Sequence, residues 1–304
     1  MVLNSIFPVF ALIVLGYLLK KFDLTTDEYL KTSDKLVYFI FFPALLFWKI
    51  GGSASIAIDW LFCGAATAAI MVIYLLSGIA LKVFKVADFQ AGSFSQSCYR
   101  FNTYIGMAII MNALGDEGVK HFGIMIGFAI PLINFMAVST LIWFSGKDFK
   151  VTQRIRITVK AIVSNPLILA CIAGILYARS VNYFPVFIDN TLSLTTFITL
   201  PLALLSIGGS LRLKNFKEDF KLSLIAAVFK LVLLPITGYA FMKELNVSIV
   251  PFKVGMIFFA LPTSTAIYVL SSQLNSDTRL ASASIVLSTI FSFFSLSIIL
   301  LGFF

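Results

Sequence analysis

The chain has 304 residues, of which 60% are hydrophobic and only 12% charged, with a formal net charge of +9. Soluble domains average about 45–50% apolar and about 25% charged residues, so a chain of this composition cannot cover itself with polar surface in water. That excludes a soluble globular protein and predicts an integral membrane protein; the positive charge belongs to basic cytoplasmic loops, and no basic-aromatic platform for nucleic acid is visible.

A helix needs about 20 apolar residues to cross the hydrocarbon layer. Ten stretches qualify, in chain order 3–20, 32–51, 60–84, 88–114, 118–145, 162–179, 185–211, 218–242, 249–274 and 280–303. Span 1 lacks a basic leader and a small-residue cleavage site, so it reads as a retained helix and not a removed signal. Span 2 contains Pro43 and ends in Ile-Gly-Gly-Ser at 50–53. Span 4 is interrupted by Arg100, Asn102, Thr103 and Gly106. The polar stretch 147–161 after span 5 reads as a basic cytoplasmic loop. Span 7 contains Pro201 and ends in a second Ile-Gly-Gly-Ser at 207–210. Lys230 lies near the middle of span 8. Span 9 carries Pro262 followed by Thr263, Ser264 and Thr265. Cys63, Cys98 and Cys171 sit inside apolar runs, in no metal-like spacing, as small buried hydrophobes.

Sixteen basic residues fall in odd-numbered loops and five in even-numbered ones, with Arg100 and Lys230 inside spans. Odd loops are therefore expected in the cytoplasm and both termini outside. The halves also match. Pro8 and Gly16 of span 1 correspond to Pro166 and Gly174 of span 6, Pro43 to Pro201, the two Ile-Gly-Gly-Ser copies to each other and Leu114 to Leu274. The offset stays between 157 and 160 residues. Five spans per unit is an odd number, so the repeats at 1–146 and 162–304 must be inverted. This predicts an all-α polytopic protein of ten transmembrane helices in two inverted five-helix repeats. That is a common transporter architecture, whose ligand site lies near the midplane at broken helices.

Spans 4 and 9 carry interruptions at matching places, and are expected to break and cross at the midplane. A lone proline in a membrane helix is usually a kink, and a Thr-Ser-Thr run usually bonds back to its own helix. The symmetric pair favours a binding site. Arg100, Asn102, Thr103, Gly106, Lys230, Pro262, Thr263 and Ser264 are its expected residues. Arg100 and Lys230 are charges at membrane depth, which are functional hypotheses by default. No acidic residue lies clearly at that depth, so the pocket should be electropositive and suit an anion. No metal-ligand set or Ser–His pair is present, so no enzyme, metal or cofactor is expected.

The stretches "IFPVFALIVLGYLL", "RFNTYIGMAII", "NPLILACIAGILY" and "ALPTSTAIYVLSSQ" resemble the auxin efflux carrier family, in its bacterial branch with malonate and malate permeases. The resemblance covers nearly the whole chain. It implies a scaffold of helices 1, 2, 6 and 7 that supports a homodimer. The transport bundle is then helices 3–5 and 8–10, moving as an elevator in the bacterial inner membrane. Family members with a proline in each crossing helix carry one just after the helix-4 glycine. Here Gly106-Met107-Ala108 has none, so that break must rest on its polar residues. The expected function is secondary transport of a small organic anion, a mono- or dicarboxylate. The alternatives are a sodium- or proton-coupled carrier of another solute, or a membrane-embedded metabolite sensor.

Overall fold

The computed structural model describes residues 2–52, 58–146, 151–181, 183–211 and 216–304. Among these residues every regular element is helical. Hydrocarbon offers no water to a backbone amide, and a helix satisfies its N–H and C=O groups internally. Six helical segments are long and apolar enough to cross a bilayer: Leu3–Lys21, Trp60–Val83, Asp88–Phe144, Val186–Ser210, Asp219–Glu244 and Thr278–Phe303. Two shorter apolar helices, Pro166–Ser180 and Ile249–Ala260, accompany them. The chain is thus a polytopic membrane protein.

Helix α1 spans Val2–Lys21. Thr26 caps α2 (Asp27–Leu36) by accepting the Tyr29 N–H, and α2 runs through the turn Val37–Phe41 into α3 (Phe42–Gly51). That turn is π-helical, because the Phe42 N–H reaches back five residues to Val37 O. Pro43 follows directly, and a proline cannot donate to the ladder. The helix expected at 32–51 thus starts earlier, after the Thr26 cap. Asp59 caps α4 (Trp60–Val83) through the Phe62 N–H, and α5 (Asp88–Tyr99) follows.

Helix α6 (Thr103–Phe144) contains one non-helical residue, Gly115, at φ 61° and ψ −153°. Forty-two residues of straight helix would measure about 63 Å, twice the hydrocarbon thickness. The chain must reverse, and Gly115 does so in backbone space that only glycine occupies cheaply. The two arms, 103–114 and 116–144, agree with the expected end of span 4 and start of span 5.

Helix α7 (Val151–Val163) occupies most of the stretch expected as a loop. Its helical period was hidden because basic and hydroxyl residues fill the polar side. Asn165 caps α8 (Pro166–Ser180) by accepting the N–H groups of Leu167 and Ile168. Then come α9 (Val186–Ser210), α10 (Phe216–Val228), a second π turn at Phe229–Leu233 and α11 (Leu234–Glu244). The chain closes with α12 (Ile249–Ala260), α13 (Ala266–Gln273) and α14 (Thr278–Phe303), the last capped by Asp277.

Two helix pairs are held by glycines. A Cβ at Gly208 of α9 would overlap the Ile13 carbonyl of α1, and one at Gly16 would overlap the Leu205 carbonyl. Backbone meets backbone there, which only glycine allows. On the other side, Gly174 of α8 lies against Ile50 of α3, and Gly51 faces Phe184 and Tyr177. The second Ile-Gly-Gly-Ser copy is thus the last turn of α9 and a packing surface for α1. The first ends α3; its Ser53 lies outside the described residues. Trp48 Nε1 donates to Asp189 at 2.7 Å, and Lys49 pairs with Asp116 at 2.7 Å, tying α3 to α9 and to the turn after Gly115. Burial is deepest along α5 and α12, where Ala91–Tyr99 and Val254–Ala260 are buried without interruption.

Candidate functional site

The deeply buried helices α5 and α12 both stop inside the protein. Helix α5 ends at Tyr99 and α6 starts at Thr103; between them Arg100 adopts extended backbone, φ −67° and ψ 151°. No proline is needed. Asn102 makes the break by capping the next helix: its Oδ1 accepts the N–H groups of Tyr104 and Ile105, both at 3.1 Å. Asparagine is among the best N-caps because it satisfies donors that a helix start leaves orphaned.

Helix α12 ends at Ala260 and α13 begins at Ala266. Leu261 is extended, φ −65° and ψ 149°, as expected for a residue before proline. The Thr263 N–H donates to Ser288 Oγ of α14 at 3.1 Å, and the Ala266 N–H to Ser264 Oγ at 3.2 Å.

The two interruptions touch. The Asn102 N–H donates to the Pro262 carbonyl at 2.9 Å. A Cβ on Gly106 would stand 2.6 Å from Leu261 Cδ1 and 2.6 Å from the Phe122 ring, so glycine is what lets the breaks approach. Phe101 packs edge-on against Phe258 with ring centroids 4.5 Å apart. Six expected residues meet here: Arg100, Asn102, Gly106, Pro262, Thr263 and Ser264. Thr103 opens α6 beside them, half-buried.

Arg100 is 8% exposed. Its Nη2 donates to Asn134 Oδ1 on the second arm of α6 at 3.2 Å, while Nε and Nη1 are buried without a partner. Among the described residues no carboxylate lies within ion-pair distance of it, though Tyr38 and Tyr99 are in electrostatic reach. The Thr263 hydroxyl is also buried and unpartnered. A buried guanidinium without its hydrogen bonds is costly. The starts of α6 and α13 add partial positive charge at the same place.

Lys230 is the exception. It lies in the second π turn, fully buried, and its Nζ donates to the Phe259 carbonyl at 2.9 Å. That carbonyl belongs to the last turn of α12, whose C-terminal oxygens have no helical partner. The ammonium therefore reaches the break from the carbonyl side, as a cap. π turns often mark functional places within helices. Sequence reasoning missed Asn134 and Ser288, which orient the Arg100 guanidinium and the Thr263 amide. The signal for Asn134 was present: it is a lone amide inside the apolar run "AIPLINFMAV".

A cavity of about 380 Å³ lies elsewhere, between α1, α2 and α9. Thr25, Tyr29, Ser33 and Ser206 line it, and none of the expected site residues reaches it.

Apolar helices with two interruptions in contact define a polytopic membrane protein with broken helices. The comparisons give its class. The family described as membrane transport protein matches residues 1–300, and the chain belongs to it; this is the auxin efflux carrier family. An uncharacterized transporter of Methanocaldococcus jannaschii is 24% identical over 306 aligned positions, covering 95% of each chain.

Proposed function

We propose that this transporter is a secondary carrier of a small organic anion, a mono- or dicarboxylate, bound at the touching interruptions. One observation carries the reading: the buried Arg100 guanidinium at the break, with Nε and Nη1 unpartnered and no carboxylate within ion-pair distance among the described residues. A carboxylate supplies the acceptors these donors lack, and charge-assisted hydrogen bonds are the strong ones. Thr263 Oγ1 and the starts of α6 and α13 complete the anion's surroundings. Lys230 raises the potential from behind α12.

The architecture proposed is ten spans in two inverted repeats, with the broken spans crossing at the midplane. The packing supports it. The first span of each half, α1 or α8, lies on the second span of the other half, α9 or α3, through a glycine in each case. In this reading α1, α2–α3, α8 and α9 form a scaffold and dimer surface, and the other helices form a bundle that moves as an elevator. The charge asymmetry of the loops puts both termini outside the bacterial inner membrane.

The test is uptake of radiolabelled mono- and dicarboxylates into proteoliposomes, with and without sodium or a pH gradient. Saturable uptake of at least one carboxylate, lost in Arg100→Gln, is the expected result. Carboxylate uptake that survives Arg100→Gln, or uptake confined to neutral or cationic solutes, would overturn the anion reading. A sodium requirement would move the protein to the coupled-carrier class.

A further inference from the structure

Helix α7 joins two membrane helices, starting seven residues after Phe144 and ending three before α8 opens at Pro166. Both ends are thereby pinned at the edge of the apolar layer. Ile157 turns inward, against the buried cluster of Val138, Leu141, Ile142 and Leu274. Among its described side chains, the others leave one face uncovered. Ile155, Val159 and Val163 recur every four residues along one edge of that face and are exposed. Arg156 and Lys160, also four apart and exposed, run along the adjoining edge. Adjacent apolar and basic stripes are what an interfacial helix needs: the apolar edge enters the acyl region, and the basic edge stays at headgroup depth. The charge has no internal answer in sequence. From residue 149 to residue 188 the chain carries five basic residues and no acidic one.

We propose that α7 is a docking site for anionic phospholipid, held by Arg156 and Lys160 with Ile155, Val159 and Val163 in the acyl layer. A zwitterionic surface offers the apolar edge the same depth but leaves the basic edge unpaired. An anionic surface attracts each nearby basic residue by about a fivefold gain in local binding. Because Leu274 follows α13 directly, the docked helix bears on the end of the broken span as well as on α6. This inference does not depend on the transported solute.

The experiment is hydrogen–deuterium exchange of the full chain in nanodiscs, followed on peptides covering residues 151–163. Discs of phosphatidylcholine alone are compared with discs containing 30% phosphatidylglycerol. Protection of the peptide should rise by at least about fivefold with phosphatidylglycerol, and fall back as salt is raised. The double variant Arg156→Gln/Lys160→Gln should remove the difference, whereas Arg156→Lys/Lys160→Arg should keep it. Soluble glycerol phosphate added to phosphatidylcholine discs should not reproduce the protection. Equal protection in both lipids, a difference that survives the glutamine variant, one lost in the charge-preserving variant, or full protection by glycerol phosphate would each overturn the proposal.

Discussion

The Asn102 amide and the Pro262 carbonyl, from opposite halves of the chain, are joined by a hydrogen bond of 2.9 Å. One group belongs to the start of α6, the other to the irregular stretch after α12. Each break therefore satisfies part of the other. Irregular backbone survives at membrane depth only where protein supplies its partners. Asn102 does this twice, through its amide to Pro262 and through its side chain to the first turn of α6. Asn102→Ala should cost about 1 kcal/mol of stability from the lost cap. Asn102→Asp keeps a good cap but brings a negative charge beside Arg100, so it should remain stable and lose anion binding. Thermal unfolding and uptake, measured on both variants, check this; equal affinity in Asn102→Asp and wild type would refute it.

Arg100 supplies the second prediction. Hydrogen bonds to charged groups contribute about 1.5–3 kcal/mol, which is roughly ten- to a hundredfold in affinity. Arg100→Gln should weaken carboxylate binding by that factor. Arg100→Lys should recover only part, because an ammonium cannot reproduce the planar spread of the guanidinium donors. Asn134→Ala frees the guanidinium on its held side, and a milder loss of several-fold is expected. Calorimetric titration of each variant with the transported carboxylate gives the order.

Lys230 tests a cap against a charge. Its ammonium donates to Phe259 O at the end of α12. Lys230→Gln keeps a donor of shorter reach and loses the charge. Lys230→Met keeps the volume and loses both. If the charge shapes the anion's potential, both variants weaken uptake. Lys230→Met alone should lose stability, by about 1–3 kcal/mol, since the Phe259 carbonyl is left buried without that donor. Normal uptake in Lys230→Gln would leave the residue a cap only.

Much of this was legible from the sequence because the signals were covalent or periodic. Proline at 262 dictates backbone that side-chain context cannot override. The Thr26 and Asn165 caps move two helix starts away from the expected 32 and 162, to Asp27 and Pro166, because a single capping side chain is a weaker signal than an apolar run. The interruption at 100–102 was readable as a cluster of polar residues, and the structure shows it works through capping, without a proline. What sequence could not give were partners across space. That Lys230 faces a carbonyl and not an open pocket depends on how α12 lies against the second π turn. Asn134 and Ser288 lie on helices remote in sequence from the groups they orient. The helix α7 was hidden because its apolar stripe is thin and interleaved with threonine and arginine.

The glycine contacts separate packing from permissiveness. A Cβ at Gly208 would overlap the Ile13 carbonyl, a backbone atom that cannot swing aside. A Cβ at Gly64 of α4 would meet nothing within 4 Å outside its own helix backbone. Gly208→Ala should therefore lower stability by about 1–3 kcal/mol through overpacking, while Gly64→Ala should be neutral or slightly stabilising through helix propensity. Melting curves in one detergent decide between them; matching shifts would deny the close approach of α1 and α9.

Pro262 is where stability and function should part. A proline here forces Leu261 into extended backbone and removes a donor, so α12 stops at Ala260. Alanine carries neither constraint. In Pro262→Ala the helix can continue past Ala260 and close backbone bonds that the break now interrupts. Pro262 lies outside α12 and α13, so the wild type carries no helix-interior proline penalty, and the melting temperature of the alanine variant should hold. The Asn102 N–H then loses the acceptor placed for it, and Thr263 is carried away from Ser288. Carboxylate affinity should drop by tenfold or more while the protein stays folded. A variant that loses stability and affinity in proportion would show that Pro262 serves packing, and that the break does not depend on it.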